Sequence, residues 1–264
     1  MEFQSWAEYA IFAEFVKCKA RYVLDERSKR FLEVVLKTSG KRNRTLPQRS
    51  KLWRAQIGHG WRTEQVPSWA QADFGGATGY MMPHPFGCKR MLPQLDRATE
   101  GRANPTGIPC VYFAMEKETA MSEVRPWIGS HISLAQFEGS RELHLVDCTA
   151  DDPGFAINYH TGCEEPTAEK RESSVWAQIN FAFSEPVTRS DDFADYAPTQ
   201  LLAETFREHG YDGIIYESRL GEGGKNVAIF RIDCATLVSR RLYQVEEMKF
   251  KFSPISAEVD SQEG

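Results

Sequence analysis

Apolar residues recur at three- and four-residue intervals in four parts of the chain, which predicts amphipathic helices there. Two lie near the N-terminus, around residues 6–16 and 31–36, and Gly40 is predicted to cap the second. The others are "SVWAQINFAF" (174–183) and "PTQLLAETFREHG" (198–210). The apolar run of the third segment also suits a strand. The fourth has Pro at its start and Gly at its end, which favours a helix.

Five other segments have the alternation or the short apolar run of β-strands. They are "KLWRAQI" (51–57), "IPCVYFAM" (108–115), "ELHLVDC" (142–148), "DGIIYES" (212–218) and "NVAIFRI" (226–232). In the first, Arg54 lies on the face opposite Trp53 and Ala55. A short helix is predicted in "KETAMSEVR" (117–125), and Pro126 must end it because proline disfavours helical geometry in the preceding residue.

The remaining segments have few periodic positions. "KRNRTLPQRSK" (41–51) is basic and is interpreted as a solvated connection. A nucleic-acid contact there is the less favoured alternative, because no aromatic residues are interleaved. Residues 58–108 are rich in Gly and Pro, which predicts a long loop with a short helix near 67–73.

Charge and cysteine content argue against several classes of protein. The 264 residues carry a formal net charge of -5, so no global basic field exists to hold a nucleic acid or an anionic membrane. No apolar run approaches membrane-spanning length and the N-terminus lacks a signal-peptide pattern, so a cytoplasmic protein is expected. The six cysteines show no Cys-x-x-Cys spacing and the six histidines no metal-ligand spacing. Reduced thiols and no metal site are therefore predicted.

The common fingerprints of catalysis are absent from the sequence. "FGGATG" lacks the Gly-x-Gly-x-x-Gly spacing, and "GEGGKN" lacks the first Gly and the Ser/Thr of a phosphate-binding loop. What remains is a set of polar residues near the ends of predicted elements: Arg54, Tyr112, Glu123 and Ser218. The pattern alone also allows a structural interpretation of each, as an ion pair, a core residue, a solvated carboxylate and a turn former respectively.

Several segments, in this order, resemble the RES-domain family: "LWRAQ", "GRANPTGIPCVYFA", "TAMSEVRP", "GYDGIIYES" and "GGKNVAIF". They extend over about residues 50–235, and the second and third are the most specific. The family is named for its Arg, Glu and Ser, and it resembles bacterial toxins that destroy NAD. The resemblance implies an α+β fold similar to that of the ADP-ribosyltransferases, in which mixed, largely antiparallel sheets enclose an NAD cleft.

Three parts of the chain are expected from this resemblance. They are a helical N-terminal extension (1–45), the RES domain (46–250) and a tail (251–264) interpreted as disordered. The extension and the long segment 128–197 depart from the minimal family pattern, so a different partner or regulator could bind there. The aromatic side of the first helix would suit a homodimer contact if the main domain did not cover it.

By position, Arg54, Tyr112, Glu123 and Ser218 match the family's Arg, Tyr, Glu and Ser, which implies that they are the catalytic residues. Arg54 would bind a phosphate of NAD, and Glu123 would stabilise the oxocarbenium-like charge or hold a ribose hydroxyl. Tyr112 would stack on a ring or donate its hydroxyl, and Ser218 would donate near the nicotinamide amide or its ribose. Three further residues are expected to support NAD binding: Arg102, Asn104 and Asn226.

The implied function is cleavage of the nicotinamide–ribose bond of NAD, by a glycohydrolase that uses water or a phosphorylase that uses inorganic phosphate. The alternatives are a protein mono-ADP-ribosyltransferase and a non-catalytic module that binds NAD or ADP-ribose. NAD is then the substrate rather than a prosthetic group, and inorganic phosphate is the candidate co-substrate. Family members that act as toxins are typically paired with an Xre-type antitoxin that blocks the cleft. Such a partner is expected here, without direct contact with nucleic acid or membrane.

Overall fold

The computed structural model describes residues 1–75, 77–94, 97–149, 166–185, 193–221, 223–249 and 252–254. Ten strands lie in these ranges: β1 (Asn43–Leu46), β2 (Lys51–Ile57), β3 (Gly60–Gln65), β4 (Gly79–His84), β5 (Val111–Ala114), β6 (His131–Gly139), β7 (Leu143–Asp147), β8 (Gly213–Glu217), β9 (Lys225–Ile229) and β10 (Ala235–Gln244). The α-helices of the same ranges are α1 (Glu8–Cys18), α2 (Glu26–Ser39), α3 (Cys88–Met91), α4 (Lys117–Glu123), α5 (Ala168–Ser184) and α6 (Ala197–Glu208).

Eight of these strands form one sheet, in the order β1-β7-β8-β9-β5-β2-β6-β10. Neighbours in the sheet are antiparallel except for β7 and β8, which are parallel. Parallel neighbours need a long connection, and the chain between β7 and β8 includes α5 and α6. β3 and β4 form a separate hairpin. The predicted α+β class with largely antiparallel pairing is confirmed.

The large sheet is nearly divided between β5 and β2. These strands share a single paired position, Trp53 opposite Ala114, whereas β2 and β6 pair over seven positions and β5 and β9 over four. Away from this one pair, the facing edges of β5 and β2 do not bond to each other. A cleft can therefore open within the sheet.

Alternating side chains of the strands fill two apolar layers, one on each face of the sheet. Ile214 and Ile215, adjacent in β8, are both fully buried and lie in different layers. Helices α1, α2, α5 and α6 close the first layer, with Trp176 and Phe206 among its largest side chains. The second layer collects side chains from β1, β2 and β5 to β9. Each large apolar side chain buried in this way stabilises the fold by roughly 1.5–3 kcal/mol.

The two N-terminal helices belong to the first of these layers. Phe12 and Val16 of α1 and Phe31 of α2 are buried in the same cluster as Ile214 of the sheet. The rings of Phe12 and Phe31 stack with their centroids 4.6 Å apart. The aromatic face of α1 is therefore covered within the chain, and it does not offer the homodimer contact considered from the sequence.

One prediction for the region after α2 is confirmed and one is wrong. Gly40 is the C-cap of α2, although its φ of -58° is not left-handed, and the 3-10 turn Gly40–Arg42 follows. The segment interpreted as a polar connection contains β1, which pairs antiparallel with β7 at one end of the sheet order. Most side chains of β1 are exposed. An edge strand of this kind carries no apolar pattern that would reveal it.

The region predicted as a long loop contains the β3–β4 hairpin, which pairs over six positions. Nearly all its side chains are exposed or half-buried, including Trp61 and Met81, so no buried face marks it in the sequence. The helix expected near 67–73 is a 3-10 turn, Ser68–Ala70, and α3 follows the hairpin. The side chain of Met91 anchors α3 because it is fully buried.

The cysteines of the described residues are free: Cys18, Cys88, Cys110, Cys148 and Cys234. The first two are exposed and the other three are buried. Cys163, the middle of the segment 128–197 and most of the predicted tail lie outside the described residues. No helix in the described ranges is both long and apolar enough to cross a bilayer.

Candidate active site

A cleft of about 390 Å³ opens where β5 and β2 separate. Its lining includes Trp53 and Arg54 of β2, Tyr112 of β5, and Glu123 and Asn226. Because β5 and β2 scarcely pair, side chains rather than a backbone ladder occupy the space between them. The volume falls in the range of small-molecule binding sites.

The carboxylate of Glu123 is the acceptor of two side-chain hydrogen bonds. Its Oε1 accepts from Ser218 Oγ at 2.6 Å and from Asn226 Nδ2 at 2.7 Å. Ser218 lies 95 positions and Asn226 103 positions from Glu123 along the chain, so the fold brings the three together. Both donors bind the same oxygen. Within the described part of the chain no donor contacts Oε2, which remains available to a ligand.

Local sequence places Glu123 at the end of its helix. Pro126 excludes helical geometry at Arg125, which takes a left-handed φ of +48°, and α4 ends at Glu123. The Gly-rich loop between β8 and β9 packs against α4. A Cβ on Gly224 of this loop would clash with the side chain of Thr119, so glycine allows the approach. This close approach lets the ends of β8 and β9 reach Glu123.

Ser218, the residue after β8, forms a turn and contacts Glu123 with the same oxygen. Its Oγ accepts the backbone N–H groups of Leu220 at 3.2 Å and Gly221 at 3.0 Å. A serine hydroxyl has one proton and two acceptor positions, and here the proton points to Glu123. The backbone turn therefore fixes the direction in which Ser218 donates.

Arg54 crosses the gap between the two halves of the sheet. Its Nη1 donates to the backbone oxygen of Tyr112 at 3.0 Å. Its Nε is buried and has no hydrogen-bond partner among the described residues. Burial lowers the pKa of Arg54, but an arginine stays protonated in proteins. Among the described residues no carboxylate pairs with it, so the structural ion pair that the sequence allowed is not found there. A half-buried cation with no counter-ion among these residues suits an anion site.

Tyr112 and Asn104 bond to each other. The Tyr112 hydroxyl donates to Asn104 Oδ1 at 2.7 Å and accepts from the Ala103 backbone N–H at 2.9 Å. The amide nitrogen of Asn104 donates to the backbone oxygens of Thr99, Pro105 and Ile108. A Cβ on Gly101 would lie 2.5 Å from the Tyr112 hydroxyl, so this turn requires glycine. The amide of Asn104 therefore shapes the loop, and Tyr112 presents its ring to the cleft.

Comparison with known proteins now bears on this site. A family model described as the RES domain matches residues 51–253. The chain belongs to the RES-domain family. The match includes the site residues described above, and it does not include α1 and α2.

Among curated proteins, this chain has no match. A crystal structure of the M. tuberculosis MbcT-MbcA toxin-antitoxin complex contains a chain similar to this one, with 13% sequence identity and a TM-score of 0.37. The alignment covers 80% of this chain and 92% of that chain.

Arg102 of the RES domain lies between the cleft and the helical layer. It donates to the backbone oxygen of Ala182 in α5, and its guanidinium lies 5.7 Å from the ring centroid of Tyr196. Gln200 of α6 holds the same loop, because its Nε2 donates to the backbone oxygens of Gly101 at 3.0 Å and Asn104 at 3.1 Å. The sequence pattern does not mark Gln200, which is one polar residue among several on a predicted helix.

Tyr216 is a second cleft residue of the RES domain that the sequence interpretation missed. Its ring packs on Phe183 with the centroids 5.8 Å apart, and burial raises the pKa of its hydroxyl. No described protein group hydrogen-bonds that hydroxyl. Tyr216 precedes Ser218 by two positions in a predicted strand, so both side chains lie on the same face of that strand. This spacing is the sequence signal that could have identified Tyr216 as a site residue.

Two further cavities adjoin the cleft of the RES domain. One, of about 290 Å³, shares Glu123 and Asn226 with it, and the other, of about 610 Å³, shares Arg54 and Tyr112. Within the described ranges no three or more His, Cys, Asp or Glu residues cluster in a way that could hold a metal ion. The site therefore consists of a carboxylate that lines both the cleft and the smaller cavity, and an arginine that lines both the cleft and the larger cavity.

Proposed function

We propose that this RES domain cleaves the nicotinamide–ribose bond of NAD and releases nicotinamide. The observation that carries the proposal is the Glu123 carboxylate in the cleft. Ser218 and Asn226 hold one of its oxygens, and the other oxygen has no donor from the described protein. A fixed carboxylate with a free oxygen is suited to stabilising positive charge that develops on a bound sugar.

The reaction needs few protein groups. The bond between ribose C1′ and the nicotinamide nitrogen breaks heterolytically, and both electrons go to the ring nitrogen. Nicotinamide leaves as a neutral molecule, so no general acid is required. Positive charge develops on the ribose ring, as in glycoside hydrolysis. Glu123 stabilises this charge or accepts a ribose hydroxyl. The acceptor, water or inorganic phosphate, then forms the new bond to C1′, and water loses its proton to solvent.

The rest of the cleft supports a dinucleotide as the substrate. Arg54 offers a guanidinium for a phosphate of NAD, because its buried Nε has no hydrogen-bond partner among the described residues. The ring of Tyr112 provides a face for stacking. Asn226 and Ser218 fix the carboxylate, while Asn104 and Arg102 fix the loop at the other side of Tyr112. Direct contact of Ser218, Arg102 and Asn226 with NAD remains part of the proposal.

Purified protein incubated with NAD tests the activity, with released nicotinamide followed by chromatography. We expect release that scales with enzyme concentration. Stimulation by inorganic phosphate would identify a phosphorylase, and release without phosphate a glycohydrolase. Transfer of a labelled ADP-ribose group to a protein would instead favour the ADP-ribosyltransferase alternative. Binding of NAD without release under any of these conditions would contradict the proposal and favour a binding module.

We further propose that the enzyme is the toxin of a toxin–antitoxin pair, as the RES-domain family implies. Its partner would be an antitoxin of the Xre type that covers the cleft. Expression of the chain alone in bacteria should lower cellular NAD and stop growth, and co-expression of the protein encoded beside it should restore both. Normal growth with normal NAD at high expression would contradict the toxin role.

A further inference from the structure

The larger neighbouring cavity, of about 610 Å³, has a basic lining. It shares Arg54 and Glu100 with the cleft, and three further basic residues line it: Lys89, Arg90 and Arg97. Among its described lining residues, Glu100 is the one carboxylate, and it lies where the cavity meets the cleft. The whole chain has a formal net charge of -5, so the charge of this lining is opposite in sign to that of the chain.

Arg90 is held in position by its neighbours. Gln56 of β2 donates to the backbone oxygen of Arg90 at 2.7 Å, and the guanidinium lies 5.0 Å from the ring centroid of Phe86. Phe86 is fixed in turn, because its backbone N–H donates to Ser133 Oγ at 3.0 Å. The next residue, Met91, is fully buried. The backbone of Arg90 is therefore fixed before any ligand binds, and its exposed side chain lies over the Phe86 ring at the edge of the cavity.

Lys89 and Arg90 have no carboxylate partner among the described residues, although both line the cavity. Arg54, with its buried and unpartnered Nε, lies at the junction with the cleft. A dinucleotide with its nicotinamide ribose at Glu123 and its pyrophosphate at Arg54 would extend its adenosine half into this cavity. Lys89 and Arg90 would then be available to bind a further anionic group on the adenosine half of the dinucleotide.

We propose that the preferred substrate is the 2′-phosphorylated dinucleotide NADP rather than NAD. This inference rests on the proposed function and specifies its substrate. NAD-specific sites commonly place a carboxylate near the adenosine 2′-hydroxyl, whereas NADP sites place an arginine near the 2′-phosphate. A phosphate monoester carries about 1.5–2 negative charges at neutral pH. It complements Lys89 and Arg90, while the 2′-hydroxyl of NAD leaves both without a partner.

Calorimetric titration of the full chain with ADP-ribose and with 2′-phospho-ADP-ribose tests the proposal without requiring turnover. We expect the 2′-phosphorylated ligand to bind about tenfold tighter or more. In the double variant Lys89→Gln, Arg90→Gln the preference should fall to within about threefold, because both charges are lost. Arg27→Gln removes one charge from an exposed position on α2, which lines neither cavity, and should keep the preference.

Equal binding of the two ligands by the wild type, or a preference that survives the double variant, would overturn the inference. Nicotinamide release from NAD and NADP is measured in parallel. If neither dinucleotide is cleaved, the proposed function fails while the binding comparison still decides the inference. If phosphate-stimulated release is lost only in the double variant, and the ligands bind equally, the two cations serve the phosphate acceptor and the NADP preference is refuted.

Discussion

Two polar clusters border the same cleft and use their hydrogen bonds differently. In the acid cluster, Ser218 and Asn226 both donate to one oxygen of Glu123. In the loop cluster, the hydroxyl of Tyr112 and the amide of Asn104 bond to each other and to the backbone. The acid cluster keeps one carboxylate oxygen for a ligand. In the loop cluster, the amide of Asn104 and the hydroxyl of Tyr112 donate to acceptors of the protein, so neither is available to a ligand.

This difference separates residues that can act on a substrate from residues that shape its site. Both clusters lie within the RES domain, and their residues were proposed from the same resemblance. Glu123 has an unoccupied acceptor in the cleft, whereas Asn104 is 2% exposed with its amide fully engaged. Family position therefore gives the candidate residues, and the hydrogen bonds of each candidate indicate which role we propose for it. Substitutions in the two clusters should have different consequences.

The largest effect is expected from Glu123→Gln. Glutamine keeps the size of the side chain, and its amide oxygen still accepts from Ser218 and Asn226, so the cluster should persist. The negative charge is lost, and turnover should fall by about 10²–10³-fold or more, as when other preorganised electrostatic groups are removed. Substrate affinity should change little. Steady-state rates of nicotinamide release and calorimetric binding measure the two quantities separately.

Glu118→Gln is the matched control, since Glu118 is also on α4 but is exposed. Its turnover should stay within about twofold of the wild type, because Glu118 is an exposed charge that does not line the cleft. A Glu123→Gln enzyme with unchanged turnover would remove Glu123 from the mechanism. Loss of substrate binding together with turnover would instead assign it to binding alone.

A smaller effect, on stability rather than on turnover, is expected from Asn104→Ala. The change removes the amide that holds three backbone oxygens and the Tyr112 hydroxyl. Buried groups left without partners should lower the free energy of unfolding by about 2 kcal/mol. Urea unfolding measures this loss. Asn43→Ala, at an exposed position in β1, should stay within about 0.5 kcal/mol. Equal losses in both variants would show that the loop cluster has no special role in stability.

Several buried strands of the fold could be predicted from sequence, whereas the exposed strands could not. Segments of β2, β5, β8 and β9 place apolar residues in a buried layer, and their pattern reveals them. The hairpin and β10 are largely exposed, so their side chains follow no burial pattern. β6 was missed for the opposite reason. It is buried over most of its length on both faces, which removes the alternation typical of a strand.

The sequence gives candidate residues for the site but not their geometry. The resemblance indicates Glu123 and Ser218, yet it gives no hydrogen-bond partner for either. The contact between them joins positions 95 residues apart and depends on the glycine that lets the β8–β9 loop approach α4. Gln200 and Tyr216 were missed because neither carries a motif, although each borders the cleft or holds its loop. These contacts depend on packing between segments far apart in the chain, and a local sequence pattern carries no information about that packing.

The smallest effect, and the sharpest test of the comparison, is expected from Tyr112→Phe. The change keeps the ring in the cleft and removes only the hydroxyl, which donates to Asn104 and accepts from Ala103. We expect a loss of about 1 kcal/mol in the free energy of unfolding, as for one buried hydrogen bond, with turnover within about threefold of the wild type. A hydroxyl that took part in the chemistry would instead cost about 10²-fold in turnover with little loss of stability. Unfolding and nicotinamide release measured on the same preparation therefore decide whether the Tyr112 hydroxyl has a structural role, like the loop cluster, or a chemical role, like the acid cluster.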